Sequence, residues 1–568
     1  MSAPPSPIPV AKRPRFLFAP AIVVALAAAA VISPMLFLGN ASGHDFTFHA
    51  QSWMEVSREW REGIFLPRWA AEANFGFGEP RFIFYPPASW MLGALLGTLL
   101  PWKIVPGVFI WLALFFAGFS MFRLAREWLP RDAAAAAAIL FAFNPYNLVI
   151  VYYRSDFAEL LAWAIFPLAV LAVLRVARQG WRPIYPLAAT LAAIWLSNAP
   201  AAVLASYSLA LLLFVACAVQ KHWKNLLPGA AGFAGGLGLA AFYMVPAAWE
   251  QRWVNIRQAL DTNLQPAHNF LFAHSSDPNF VRFNSKVSCV AVAVIAVTLL
   301  AFFAARRPRS ASWRASPEFV KPLAALASLS IFMMLPFTEF AWRLVPKLEF
   351  VQFPWRWLGP LAIALAAFFA AATRQISGGR WRWAFWLAMA LALAFSARLM
   401  IRDAWWDSQD IPQLAAAFHS GAGYEGADEY QPLGCDRTDL PENFPRVRAE
   451  EGFRVRVDSW RSEVKTFSVD SPRPATLELR LVNYPAWRAE MNGREAPILS
   501  KPGTMQALLR VPAGLARVAI RFRPTTDRLL GNSLSILSLF LLAVFWLRAK
   551  FLALDPNFAT EALSSRRS

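Results

Sequence analysis

An acid and a histidine stand four residues apart in "GHDFTFHAQSW", and if this stretch is helical Asp45 and His49 share one face, where together they can take up or relay a proton. The same region continues with Arg68 in "LPRW" and Glu79 in "NFGFGEPRFIFYPP". Downstream, "VYYRSDFAELLAW" carries Arg154, Asp156 and Glu159, "WLSNAPAA" carries Asn198, and "LEFVQFPWRWLG" carries Gln352 and Arg356. Carboxylates and imidazoles suit acid–base chemistry, and the planar fork of arginine suits an anionic oxygen pair. "NLQPAHNFLFAHSSDPN" adds His268, His274 and Asp277, whose His-x5-His-x2-Asp spacing fits metal ligation poorly; sugar contact or a surface role is the preferred reading, with a divalent cation as the alternative. Each residue also has a plainer reading. Asp45 could cap a helix that begins at Phe46. Arg154 and Arg356, set among aromatic residues, could anchor the chain at a membrane interface. Arg68 could pair with Glu72 or Glu79, and Glu79 could serve a turn.

These residues need a scaffold, and composition says of what kind. The 568 residues are 57% hydrophobic and 16% charged, with a mean hydropathy of +0.39, too apolar for a soluble protein of this size. The chain reads as a polytopic α-helical membrane protein. Its net charge of +19 would suggest nucleic acid in a soluble protein, but the basic residues sit in short loops between apolar runs, so no nucleic-acid partner is expected. Cys217, Cys289 and Cys435 offer neither a metal-site spacing nor a disulfide framework.

Runs long enough to cross a bilayer are expected near 16–38, 103–122, 132–150, 157–174, 183–196 and 199–219. Six more follow near 228–248, 287–305, 319–336, 357–373, 383–400 and 529–547. That makes twelve, and thirteen if "PASWMLGALLGTLLP" crosses rather than lying at the outer interface or re-entering. The first run follows Lys12, Arg13 and Arg15 without a cleavage signal, which reads as an uncleaved anchor. Loops assigned to the cytoplasm hold 22 basic and 5 acidic residues, so the positive-inside rule puts both termini inside and every candidate site residue outside. "NFGFGEPRFIFYPP" reads as a shaped loop over a cavity, because its glycines permit unusual backbone angles and its prolines stiffen the chain.

The interval 401–528 differs in composition, with 18 acidic and 18 basic residues. "FRVRVDSW", "VKTFSVDS" and "ATLELRLVNYPAWRAEMNG" alternate with period two, Asn492-Gly493 signals a hairpin, and "MQALLRVPAGLARVAIRFRPT" adds two strands. The expected organisation is a transmembrane domain over 1–400 with its first external loop at 39–84, an external β-sandwich over 401–528, a last span at 529–548 and a cytoplasmic tail at 549–568.

"GHDFTFHAQSW", "LPRWAAEANFGFGEPRFIFYPP", "YRSDFAEL", "SNAPA" and "FVQFPWRWL" together resemble the ordered signature of a bacterial membrane-protein family labelled 6-pyruvoyl-tetrahydropterin synthase related. "NYPAWRAEMNG" and "VPAG" are similar to the external β-domain of membrane glycosyltransferases. Pterin synthases are soluble and need a three-histidine zinc site, which the sequence does not offer. The wider resemblance implies a GT-C-like architecture in the bacterial inner membrane. It implies a multispan enzyme that takes a sugar from a polyprenyl-phosphate carrier at the outer face, with an envelope glycan, lipid or protein as acceptor. In that frame Asp45 occupies the place of the carboxylate after the first span and would act as general base, with His49 orienting it or touching phosphate. Arg154 and Arg356 would neutralise the phosphate leaving group, and no resident cofactor is implied.

Two other classes fit many spans and buried charges. A flippase of lipid-linked glycans predicts functional polar residues through the middle of the spans, whereas here they concentrate at the outer end. A non-catalytic envelope glycan assembly protein predicts that the loop carboxylates are dispensable.

Overall fold

The computed structural model describes residues 18–306, 316–373 and 379–554. The basic residues at 12–15, most of the 306–318 loop, residues 374–378 of the next basic loop, and the tail from 555 lie outside the described residues.

Among the described residues, eight helices are long and apolar enough to cross a membrane, or up to ten if each of two bent helix pairs is one span. The eight fall at expected positions, from Pro20–Leu38 to Thr526–Leu547. The span expected near 228–248 is instead a pair, Trp223–Leu239 and Ala241–Trp253, bent by 70°. Gly235, Gly236 and Gly238 precede the break and weaken the helix there. Ser535 of the last helix repairs it, its hydroxyl accepting from the Phe242 N–H at 2.9 Å and donating to the Gly238 carbonyl at 3.0 Å. The other pair, Pro317–Met333 and Pro336–Leu344, bends by 93°, where Pro336 disfavours helical geometry at Leu335. Two expected elements are short apolar helices, Pro87–Leu99 with 13 residues and Ile184–Ser197 with 14. At 1.5 Å per residue each reaches about 20 Å, less than the roughly 30 Å of hydrocarbon. The run near 383–400 lies within one 25-residue helix, Gly379–Asp403.

Short strands β1 (Asn40–Ala41) and β2 (Trp406–Asp407) pair antiparallel and tie the exit of the first span to the entrance of the β-region. Nine strands follow: β3 (Val447–Arg448), β4 (Arg454–Trp460), β5 (Val464–Ser471), β6 (Ala475–Val482), β7 (Trp487–Met491), β8 (Arg494–Ala496), β9 (Leu499–Ser500), β10 (Gln506–Val511) and β11 (Gly514–Phe522). They form sheets in the order β3-β6-β10-β9 and β4-β5-β11-β7-β8. Alternation explains the burial: Phe467 and Val469 of β5 face inward with Leu477 and Leu479 of β6, Leu509 of β10 and Val518 of β11 in one apolar core. Asn492 and Gly493, both at positive φ, close the β7–β8 hairpin as its dipeptide foretold.

That core is not sealed off from the rest of the chain. Trp69, Phe77, Ile83 and Phe84 of the 39–84 segment belong to it, and Trp69 meets Trp487 edge-on at 5.4 Å. Glu250, at the end of the Ala241–Glu250 helix, accepts from Tyr484 at 2.6 Å and from Arg528 at 2.9 Å. The loop, the helices and the β-region are thus packed and hydrogen-bonded to one another.

Candidate active site

Asp45 stands directly before the Phe46–Arg61 helix, but its side chain does not cap that helix. Its carboxylate instead accepts from Arg154 Nη2 at 2.7 Å. The backbone enforces this meeting. Gly43 N–H donates to Ser155 Oγ at 3.0 Å, and Asp45 N–H donates to the Arg154 carbonyl at 2.8 Å. The approach is close enough that a Cβ on Gly43 would lie 2.5 Å from the Tyr153 carbonyl oxygen, so only glycine fits. Arg154 itself ends a five-residue π-helical turn, Ile150–Arg154, and Ser155 follows in the left-handed region at φ 53°. This wide turn swings the arginine off the span and toward the loop.

Glu159 is the hub of the cluster. Fully buried, it accepts from Arg154 Nη1 at 2.7 Å, Arg356 Nε at 3.0 Å and Trp163 Nε1 at 3.0 Å, and also from the Tyr146 hydroxyl. Asp156 caps the Phe157–Gln179 helix by accepting from the Glu159 N–H at 2.9 Å. Its other oxygen lies 3.2 Å from Arg154 and 3.4 Å from Arg356. Burial pushes the Asp156 carboxyl up, but Arg154, His49 and Arg356 outweigh it and hold the group well below the usual carboxylate range. His49 Nε2 sits 3.6 Å from Asp156 Oδ1, within a collar of Tyr85 and Phe157. Arg356 also donates to the Val351 carbonyl at 2.8 Å and lies over the Phe353 ring.

Two arginines therefore face three carboxylates, which leaves the group one negative charge in excess. Only one of the three acids has an open side: the Asp45 side chain is 35% exposed, against 4% for Asp156 and 0% for Glu159. It opens on a cavity of about 370 Å³ that is also lined by Arg154, Asp156, Asn198, Gln352 and Arg356. Asn198 caps the Ala199–Gln220 helix, and Gln352, at φ 68°, donates to the Ala259 carbonyl at 2.6 Å.

The remaining expected residues lie elsewhere. Glu79 is fully buried, pairs with Arg81 at 2.7 Å and accepts from the Ala427 N–H at 2.9 Å, which makes it a clamp between loop and β-region. Arg68 is not paired with Glu72 or Glu79, since Glu72 pairs with Arg58; burial and the Arg528 cation lower its pKa to about 10. His268 Nδ1 lies 3.4 Å from the His274 carbonyl, and Asp277 caps the Pro278–Ala305 helix through the Asn279 N–H at 2.8 Å. Among the described residues no three His, Cys, Asp or Glu side chains converge as metal ligands. The sequence reading missed His44, Tyr85, Glu429 and Tyr430, which complete the cavity wall. No local pattern marks Glu429 and Tyr430, which reach the site only through the packing of the β-region.

A family model described as 6-pyruvoyl-tetrahydropterin synthase related domain, membrane protein, matches residues 82–407, more than half of the chain. The chain belongs to this family. The match to the 6-pyruvoyl-tetrahydropterin synthase related family holds Arg154, Asp156, Glu159, Asn198, Gln352 and Arg356. Asp45 and the nine-stranded region lie outside the matched interval. No curated protein gives a significant match. Among solved structures, the chain is similar to the mycobacterial arabinofuranosyltransferase AftD at 17% identity and a TM-score of 0.39, over 67% of this chain and 27% of that one. It is also similar to the oligosaccharyltransferase of Archaeoglobus fulgidus in a complex with Zn and sulfate (16%, TM-score 0.34, 67% and 52%). A further match is the same organism's AglB in complex with an inhibitory peptide and a dolichol-phosphate (15%, TM-score 0.31, 72% and 56%). The chain thus spans between a quarter and just over half of the length of these proteins. At such scores the function has to be argued from the site itself.

Proposed function

We propose that this protein is a membrane glycosyltransferase that moves a sugar from a polyprenyl-phosphate carrier to an envelope acceptor at the external face, with Asp45 as the general base. The observation that carries this reading is the asymmetry of the acid cluster. Asp156 and Glu159 are sealed and paired, whereas Asp45 is held by Arg154 from behind and faces a cavity. A carboxylate so placed can accept the proton of an acceptor hydroxyl as the new bond forms. The reading carries with it twelve spans, the Ile184–Ser197 and Gly379–Asp403 helices and the two bent pairs included and Pro87–Leu99 lying at the outer interface, a nine-stranded β-sandwich on the external side, cytoplasmic termini and an inner-membrane location.

The two cluster arginines are already matched by carboxylates, so their first task in this scheme is to fix Asp45. Positive charge for a phosphate leaving group is available next door. A second cavity, of about 430 Å³, shares His44 with the first and is lined by Arg282 and Lys286 at the outer end of the Pro278–Ala305 helix, with Asp403 in the same wall paired to Lys286. A donor lying across His44 would put its phosphate toward these cations and its sugar toward Asp45.

The test is mass spectrometry of envelope glycans and polyprenyl-phosphate sugars in cells with the wild-type chain, without it, and with Asp45→Asn. Because Asn removes proton acceptance but keeps the size of the side chain, transfer should fall by roughly 10² to 10⁴-fold, and lipid-linked sugar should accumulate. Wild-type glycans in the Asp45→Asn cells would exclude this mechanism. Lipid-linked sugar trapped on the cytoplasmic side would mark a flippase instead.

A further inference from the structure

A third cavity, of about 290 Å³, lies at the seam between the Phe46–Arg61 helix, the 418–421 turn and the β-region. Arg58, Arg446, Arg461, Lys465 and Arg480 line it, against one carboxylate, Glu72. Arg58 is 13 positions beyond Asp45, which places this cavity about 20 Å along the helix from the candidate active site.

Two features make it a built site rather than a charged surface. Ser462 is 1% exposed and lines the cavity, yet its hydroxyl has no hydrogen-bond partner. Its backbone is fixed on both sides, with the N–H donating to Glu62 at 2.9 Å and the carbonyl accepting from Lys465 Nζ at 2.6 Å. A buried hydroxyl without a partner is costly, and a ligand oxygen would recover that cost. Lys465, 2% exposed, gives two of its three N–H groups to the Arg461 and Ser462 carbonyls, leaving one donor in the same wall. Arg446 and Arg461 are exposed at the mouth, while Arg58 and Arg480 are anchored by Glu72 and by the Phe75 carbonyl.

Behind the wall stands Glu62, which accepts from the Ser462 N–H and lies 4.0 Å from Arg58. Burial pushes the Glu55, Glu59 and Glu463 carboxyls up, Glu55 to about 7, and the same burial lowers Lys465 to about 8. Trp460, half-buried, supplies apolar wall beside the cations.

We infer that this seam is a second binding site, for a saccharide bearing carboxylate or phosphate groups. Guanidinium forks match both anions in planar, two-point bonds, the serine hydroxyl and the lysine match sugar oxygens, and the Trp460 indole matches the apolar face of a sugar ring. A lipid headgroup would need apolar surface at the rim to enter the bilayer. None of the lining residues is a large exposed apolar side chain. The site does not rest on the transferase reading.

Calorimetry on the full chain in detergent tests it, with hexagalacturonate, maltohexaose, inorganic phosphate and phosphatidylglycerol vesicles as probes. Hexagalacturonate should bind, more weakly as salt rises, and maltohexaose should not. Displacement of the uronate by inorganic phosphate would show that the site takes either anion; no displacement restricts it to carboxylate. The double variant Arg446→Gln, Arg461→Gln should lose tenfold or more in affinity with unchanged thermal unfolding, Ser462→Ala should lose several-fold, and Asp45→Asn should bind as wild type. Equal affinity in the double variant, equal binding of maltohexaose, or binding of the vesicles alone would overturn the proposal.

Discussion

Asp45 and Arg154, 109 residues apart in sequence, are joined twice: side chain to side chain at 2.7 Å, and Asp45 N–H to the Arg154 carbonyl at 2.8 Å. The first bond orients the carboxylate, and the second fixes the turn that carries it. An acid held in this way can be open to a cavity without being free to wander, which is the preorganisation that proton abstraction needs.

The double attachment separates arginine's two roles. Arg154→Gln would leave Glu159, Asp156 and Asp45 short of a buried cation, and breaking such a network costs about 3–5 kcal/mol. The thermal midpoint of the detergent-purified protein should fall clearly, with Arg154→Lys in between because it keeps the charge but not the fork. An unchanged midpoint for the Gln variant would deny the arginine its structural role.

Gly43→Ala tests the backbone half of the attachment without touching a charge. The new methyl would meet the Tyr153 carbonyl oxygen at 2.5 Å and must push the two segments apart. A stability loss of about 1–3 kcal/mol is expected, together with a fall in sugar transfer as Asp45 draws away from Arg154. Wild-type transfer in this variant would show that the placement of Asp45 is not critical.

Glu55 gives a pH dependence of known sign. Burial first and Glu72 second raise its folded pKa from 4.5 to about 7. Between these values the unfolded chain has released the proton and the folded chain still holds it, so stability falls as pH rises from about 4.5 to about 7. Glu55→Gln should remove this decline, leaving melting curves flatter across that window. A slope identical to wild type would place the titration elsewhere.

Orientation can be read with reporters. A fusion within "RRPRSASWR" should be cytoplasmic and one near Gly423 external, because the first is a basic loop and the second adjoins the β-region. Both on one side would reverse the scheme.

Much of the architecture was legible in one dimension. Apolar runs of sufficient length mark most of the spanning helices, because the spacing between helix ends is set by bilayer thickness and every residue reports on it locally. Period-two alternation marked β4 to β7, β10 and β11, and Asn492-Gly493 marked a hairpin, for the same local reason. The list of polar candidates in the loops between apolar runs was also available, since ionisable residues beside apolar runs are costly and therefore conspicuous.

What the sequence by itself determined, then, was the solvent, the element types and the roster of candidates; which candidates meet was decided only by the tertiary structure. Glu159 finds Arg356 across 197 positions, and Glu79 is drawn instead to Arg81 and the Ala427 backbone. Asp45 and Glu159 are the same chemical type in similar settings, yet one is open and the other sealed. A carboxylate's role depends on its exposure and its partners, and both come from chain segments far away in sequence, brought together by packing that no local periodicity encodes.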